Sequence, residues 1–308
     1  MALIKRALGL KPCNPRWYCA PDQGGDDLRL TYLGTAGFVL TDGRRTVVLD
    51  PFVSRPGLRR TLSAPLKPDT QTIERHIPHA DDVLVGHSHY DHILDAPDLC
   101  RRTGARLIGA RATMMVGRAA GVPEAQLYET AGREDIASGD WTLRGLPSLH
   151  GKAIAGRVPL PGDIIEPPRW PARVTDLRHG QVLNWWVDTG RLTVVHIDSA
   201  EFIREELQGL RADIVCLCAI GRKYRPDYVK EVVELLQPRW IVPCHWDTMI
   251  TPVDAEPDMI PGVDLPGFMD EIRAAGVTPL LTPILGNLRF PACRHDHRHD
   301  ATAGPHPA

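Results

Sequence analysis

The sequence predicts an α/β fold made of two successive blocks of strands, each followed by helix–strand units. Two observations carry this prediction. Apolar runs of strand length recur from Leu28 onward and alternate with stretches of helical period. Two of those runs end directly on metal-ligand types of side chain, at His87 and at Cys244-His245.

The elements follow in chain order. Residues 1–27 read as an N-terminal extension: Pro12, Pro15, Pro21, Gly24 and Gly25 interrupt regular structure, and Trp17 and Tyr18 are its anchors to the body. Leu28 to Leu33 alternates as a half-buried strand, and Phe38 to Leu40 follows it. Asp42-Gly43 turns the chain into Thr46 to Asp50, which completes an antiparallel meander. Asp82 to Gly86 is a buried strand. Ile93 to Arg102 has helical spacing with Gly104 as its stop; Arg106 to Gly109 is a strand and Arg111 to Ala120 a helix.

The second block starts near Trp141 to Leu143 and continues through Val182 to Val187 and Leu192 to Ile197. Glu201 to Gln208 reads as a helix, Ala212 to Ile220 as a strand, Tyr228 to Leu236 as an amphipathic helix and Arg239 to Pro243 as a strand. Residues 291–308 hold His295, His297, His299 and His306 among Asp, Arg, Pro and Gly. They read as a flexible His-rich tail without the fixed geometry a catalytic metal needs.

Composition excludes several classes. The 308 residues are 43% hydrophobic and 24% charged with a formal net charge of -2, a globular balance that predicts no nucleic-acid partner. No run of about 18 apolar residues predicts a transmembrane helix, and Met1 to Leu10 is a poor signal peptide. The cysteines, Cys13, Cys19, Cys100, Cys216, Cys218, Cys244 and Cys293, are odd in number and form no C-x-x-C pair. Cys216 and Cys218 sit inside an apolar run, so a reduced, cytoplasmic protein is expected.

The chemistry concentrates in His87-Ser88-His89-Tyr90-Asp91-His92, an H-x-H-x-D-H run between a buried strand and a helix. Alternate residues of an extended loop point the same way, so His87 and His89 can address one cation while Asp91 and His92 turn toward a second. Imidazole nitrogen and carboxylate oxygen suit zinc, and also iron or manganese. Four such groups within six residues are hard to justify as packing, because desolvating them without a partner costs several kcal/mol.

This run resembles the signature of the metallo-β-lactamase superfamily, and the order of later residues matches that family over residues 28–250. His150 stands at a strand end in Leu149-His150-Gly151, Asp198 ends the run Val194 to Asp198, and His245 follows Ile241 to Cys244. The resemblance implies a four-layer αββα sandwich of two mixed sheets flanked by helices over residues 28–290. It implies that His87, His89 and His150 hold a first metal and Asp91, His92 and His245 a second, with Asp198 bridging. Two divalent ions are the implied cofactors, zinc foremost.

Leu33-Gly34-Thr35-Ala36-Gly37-Phe38, followed by Val48-Leu49-Asp50-Pro51-Phe52, is similar to the group containing ascorbate-phosphate lactonases and N-acyl-phosphatidylethanolamine phospholipases. The stretch from Ala212 through Trp246 is similar to that group as well. Asp50 then either orients a ligand histidine or caps a strand end before Pro51. One departure stands out: His196 lies two residues before Asp198, where many relatives place Gly before the bridging acid. It reads as a core histidine first and as a neighbour of the site second.

The implied activity is hydrolysis of a small ester, lactone or phosphodiester by a metal-bound hydroxide, with Asp91 and Asp198 as the acidic groups in catalysis. Arg222, Lys223 and Tyr224 offer a clamp for an anionic substrate, against the simpler reading of a solvated loop. The Pro-rich stretch from Val158 to Pro171 is a candidate lid, and Trp170, Trp185, Trp186 and Trp246 line either a cleft or the core. A nuclease is the alternative within the family, opposed by the lack of a basic stripe. A non-hydrolytic metal-binding or redox protein is the other; redox di-iron relatives usually carry an acid where this chain has His89.

Overall fold

The computed structural model describes residues 9–19, 28–153 and 155–291. A short antiparallel pair, β1 (Lys11–Pro12) with β14 (Asp258–Met259), straps the N-terminal segment to the body. Two seven-stranded mixed sheets form the centre. The first contains β2 (Leu28–Gly34), β3 (Gly37–Thr41), β4 (Thr46–Leu49), β5 (Asp82–Leu84), β6 (Arg106–Gly109), β7 (Leu127–Glu129) and β16 (Asn287–Phe290). The second contains β8 (Ile136–Ser138), β9 (Trp141–Ser148), β10 (Val182–Asp188), β11 (Thr193–Ile197), β12 (Ile214–Cys218), β13 (Trp240–Cys244) and β15 (Thr278–Pro279). The strand orders are β16-β2-β3-β4-β5-β6-β7 and β15-β13-β12-β11-β10-β9-β8.

The two-residue period of a strand builds the layers. Val47, Leu49, Leu84 and Ile108 face inward, into one cluster shared with Leu143, Leu183 and Trp185 of the second sheet. Val48, Val83, Val85 and Leu107 face outward and pack with Ile73, Leu99 and Val116. Those last three belong to α2 (Thr70–His76), α4 (Ala96–Thr103) and α5 (Arg111–Ala119), which follow and flank α1 (Leu58–Ser63) and α3 (Tyr90–Ile93) in the chain. On the second sheet, β12 is buried at every position because it lies parallel between β11 and β13 and under helices. Val232 and Leu236 of α7 (Tyr228–Leu236) and Phe268 and Ile272 of α8 (Leu265–Ala274) cover it. The result is the expected αββα sandwich.

Several boundaries differ from expectation. The helix expected over Ile93 to Arg102 is broken in two, and Pro97 sits in the first turn of α4, where its missing N–H costs nothing. Gly104 does end α4, at φ 79°. The helix expected from Glu201 to Gln208 is a single turn, α6 (Arg204–Leu207), with Ile203 at its N-cap. The N-terminal extension is anchored as expected: Trp17, Tyr18 and Cys19 pack on the main core, and Cys13 is buried. The expected His-rich tail lies outside the described residues from position 292 onward. Among the described residues six cysteines are free, and no helix is long and apolar enough to cross a membrane.

Candidate metal centre

The centre forms where strands of both sheets end side by side. Past β5 the chain stays extended, with Val85 donating to the Ile108 carbonyl, and then delivers His87 and His89 before α3 begins at Tyr90. Asp91 and His92 lie in the first turn of α3. Residue 150 follows β9, residue 198 follows β11 and residue 245 follows β13. The two sheets therefore bring His87, His89, Asp91, His92, His150, Asp198 and His245 together.

Three overlapping groups have ligand atoms within 4.8 Å of one another: His87, His89 and His150; His87, His92 and Asp198; and Asp91, His92 and His245. Nε2 of His87 lies 3.0 Å from Nδ1 of His89, and the His150 ring centroid is 4.7 Å from that of His87 and 4.8 Å from that of His89. Asp91 Oδ2 is 3.3 Å from Nε2 of His245 and 3.7 Å from Nε2 of His92. Asp198 sits between the groups, its Oδ2 2.5 Å from Nδ1 of His87 and 3.7 Å from Nδ1 of His92.

These side chains are buried, and burial sets their protonation. It pushes His89 down to about 3 and His150 to about 4, and His87 well below the free imidazole value, with neighbouring imidazoles adding to the effect. All three are neutral at pH 7. His92 goes the other way: burial would lower it, but the Asp50 and Asp91 carboxylates outweigh burial and lift it to about 9. Burial raises the Asp91 carboxyl, yet His92 and His245 hold it well below the usual carboxylate range.

Among the buried polar atoms of the described residues that lack a hydrogen-bond partner, two belong to the converging side chains, Asp198 Oδ1 and His245 Nδ1. Orphaned buried acceptors cost free energy unless something binds them. With a donor set of imidazoles and carboxylates, the residues fit divalent cations of the zinc, iron or manganese type.

Supporting groups hold the ligands. Asp50, at the end of β4 with φ 42°, accepts from the Gly86 amide at 2.7 Å and contacts Nδ1 of His92 at 2.8 Å. Of the two roles open to it, this places it beside His92 of the candidate centre. Gly86 is required here: a Cβ would stand 2.2 Å from Asp198 Oδ2. His196 is fully buried, its Nδ1 4.0 Å from Asp50 Oδ2, and its ring packs edge-on against Phe38.

The sequence reading missed two features. Arg55 and Asp247 form a fully buried pair at 2.7 Å, and Asp247 also accepts from Tyr32 Oη and the Thr35 amide. The Thr35 carbonyl in turn accepts from the His245 amide at 2.5 Å, which holds His245 in a left-handed conformation, φ 53°. His179 lies 5.8 Å from His89 and 5.7 Å from His150 between ring centroids. Its one signal in the sequence is a histidine just before the strand that begins at Val182.

A cavity of about 430 Å³ opens over the cluster. The expected clamp is not part of its lining. Arg222 pairs with Glu271 and Asp264 and lies over the Phe268 ring at 5.2 Å, while Lys223 lies over Tyr224 at 5.1 Å. Arg222 and Lys223 line a separate surface depression beside α7 and α8, because carboxylates there already draw the guanidinium away. Trp185 and Trp246 are core, not cleft. From the expected lid, Pro159 and Leu160 do line the cavity.

Comparison with known proteins agrees with this fold. Residues 29–245 match the family described as a beta-lactamase superfamily domain. The chain belongs to the metallo-β-lactamase superfamily. A protein of Pyrobaculum arsenaticum, described as a metal-dependent hydrolase, is 29% identical over 225 residues, covering 72% of this chain and 85% of its own. Among solved structures, an isothiocyanate hydrolase from Delia radicum gut bacteria superposes with a TM-score of 0.56 at 15% identity, covering 86% of this chain and 100% of its own. The diiron β-hydroxylase CmlA of Streptomyces venezuelae has the same TM-score, 0.56, at 17% identity, covering 87% of this chain and 55% of its own. At such identities these two share the fold alone.

Proposed function

We propose that this protein is a metal-dependent hydrolase acting on an ester, lactone or phosphodiester at a two-cation centre. The observation that carries the reading is the convergence of seven ligand-type side chains, with Asp198 between two ligand groups and one of its buried oxygens unpartnered. His87, His89 and His150 would hold one cation and Asp91, His92 and His245 the other, with Asp198 shared. Bound cations would supply a hydroxide nucleophile near neutral pH and stabilise the developing oxyanion.

The chain's own residues do the rest. Three imidazoles kept neutral by burial offer lone pairs at pH 7. Asp50 fixes the ring orientation and tautomer of His92. Asp91, held ionised, accepts a proton or positions the attacking water at the face shared with His245. The relatives described as metal-dependent hydrolases support this class.

The test is turnover of p-nitrophenyl esters, lactones and bis-(p-nitrophenyl) phosphate by the zinc-loaded protein and by His89→Ala and Asp91→Ala. Wild-type protein turns over at least one class. Both variants fall to background while keeping the native circular dichroism spectrum. Full turnover by metal-replete Asp91→Ala would refute the assignment.

A further inference from the structure

The cavity over the cluster has one polar pole and otherwise apolar walls. At its floor lie the seven ligand-type side chains. Leu58 and Leu62 of α1 form one wall, and Pro159 and Leu160 another. Met249, Ile250 and Ile260, from the loop after His245, form a third. No lysine or arginine lines the cavity among the described residues. The walls therefore offer nothing to pair with an anion, and an ionised group placed against them would lose its hydration uncompensated.

Part of this lining lies outside residues 29–245, the stretch that matches the family: Leu10, Met249, Ile250, Ile260 and Pro261. They are held as a unit. β1 pairs Lys11 with Met259, and one step beyond, Leu10 and Ile260 both reach the cavity. The Ile260 amide donates to the Trp246 carbonyl at 2.9 Å, which ties this wall to the residue after His245. The mouth is apolar too. Leu62 is 71% exposed and lines the opening, and Leu149, beside His150, is 57% exposed. Leu62 thus carries the apolar wall of the cavity out to its opening.

We propose that the substrate is an uncharged ester or lactone with an unbranched apolar chain, the chain lying between the strap (Leu10, Ile260) and α1 while the reacting carbonyl meets the cluster. The size suits one small molecule: about 430 Å³ falls within the range of small-molecule sites and cannot admit a nucleic-acid duplex. This rests on the hydrolase reading above and narrows it to substrates whose chain beyond the reacting group is apolar.

The experiment uses the full-length, zinc-loaded protein and two independent readouts. In the first, kcat/KM is measured for p-nitrophenyl acetate, butyrate, hexanoate and octanoate, with bis-(p-nitrophenyl) phosphate alongside. Each buried methylene should raise kcat/KM by about fourfold until the cavity is full. The phosphodiester should lag far behind the hexanoate. In Ile260→Asp, and in Leu10→Asp should the first variant not fold, the gain per methylene disappears. In the second readout, the neutral fluorophore N-phenyl-1-naphthylamine binds the wild-type protein, is displaced by 1-octanol, and binds at least tenfold more weakly to the same variants. Ester hydrolysis that is flat or falls with chain length overturns the apolar-chain assignment and leaves the hydrolase reading standing. Absence of turnover on every ester and on the phosphodiester, with fluorophore bound and displaced, overturns the hydrolase reading instead. Failure of the fluorophore to bind overturns the apolar site whatever the rates.

Discussion

Asp50 holds one hydrogen bond to the Gly86 amide and one to His92, so a single carboxylate ties the metal-ligand loop to the strand beside it. Removing its charge while keeping its shape, in Asp50→Asn, should weaken metal binding by about 10- to 100-fold without unfolding the protein. Metal titration followed by competition with a chelator reads this directly; unchanged affinity would mean that Asp50 is only a strand-end cap. His92 gives a pH prediction. Its folded-state pKa, about 9, lies above that of a free imidazole, so its proton stabilises the metal-free protein fully below about 6.5 and that contribution is lost as pH rises through 9. A cation must displace the proton, so affinity at the Asp91, His92 and His245 group should rise about tenfold per pH unit across that window. Calorimetric titration in buffers of differing ionisation enthalpy should show close to one proton released per cation there. Zero protons released at pH 7.5 would contradict the protonated His92.

What was legible at this scale followed from contiguity. His87, His89, Asp91 and His92 are adjacent in the chain, and four ligand types in six residues identify themselves. His150, Asp198 and His245 became recognisable through their order after strands. Arg222, Lys223 and Tyr224 show the limit: a clamp and a solvated loop were both open from the residues, and only the fold shows Arg222 meeting Glu271 and Asp264 and Lys223 lying over Tyr224. No local pattern announces which carboxylate a guanidinium will meet across a fold.

At the scale of elements, strands were read better than helices. Apolar runs such as Ile214 to Cys218 and Thr193 to Ile197 are short, continuous and β-branched, which settles their type. The helices α1, α2 and α8 went unread, although α2 and α8 carry capping aspartates, Asp69 accepting from Thr72 and Asp264 from Gly267. The turn that carries His245 depends on a device with no sequence signature at all, the buried Arg55–Asp247 pair with Tyr32 and Thr35. Breaking one side leaves an unpaired buried charge, so Asp247→Ala should cost about 3–5 kcal/mol and weaken the cation site that includes His245. Replacing both partners with apolar residues, Arg55→Met with Asp247→Leu, removes the unpaired charge but leaves the Thr35 amide without its acceptor, so it should recover only part of that stability. Urea denaturation of the three proteins checks it, and a single variant within 1 kcal/mol of wild type, on the scale of an exposed pair, would show that the pair is no anchor.

Across the whole molecule, two mixed sheets place the ends of β5, β9, β11 and β13 around one cavity floor. The expectation of two strand blocks, each followed by helix–strand units, holds at this scale, because alternation along each strand separates an inner cluster from an outer one. The cavity's apolar character was not legible, since its walls come from Leu10, α1, the 159–160 turn and the 249–261 loop, which only the tertiary fold assembles. The central claim is that these four strand ends hold two cations. Anomalous diffraction from a crystal of the zinc-loaded protein, recorded on both sides of the zinc edge, tests it most directly. The account predicts two peaks, one among His87, His89 and His150 and one among Asp91, His92 and His245, with Asp198 touching both. Zinc found elsewhere, or density for none at this floor, would contradict it.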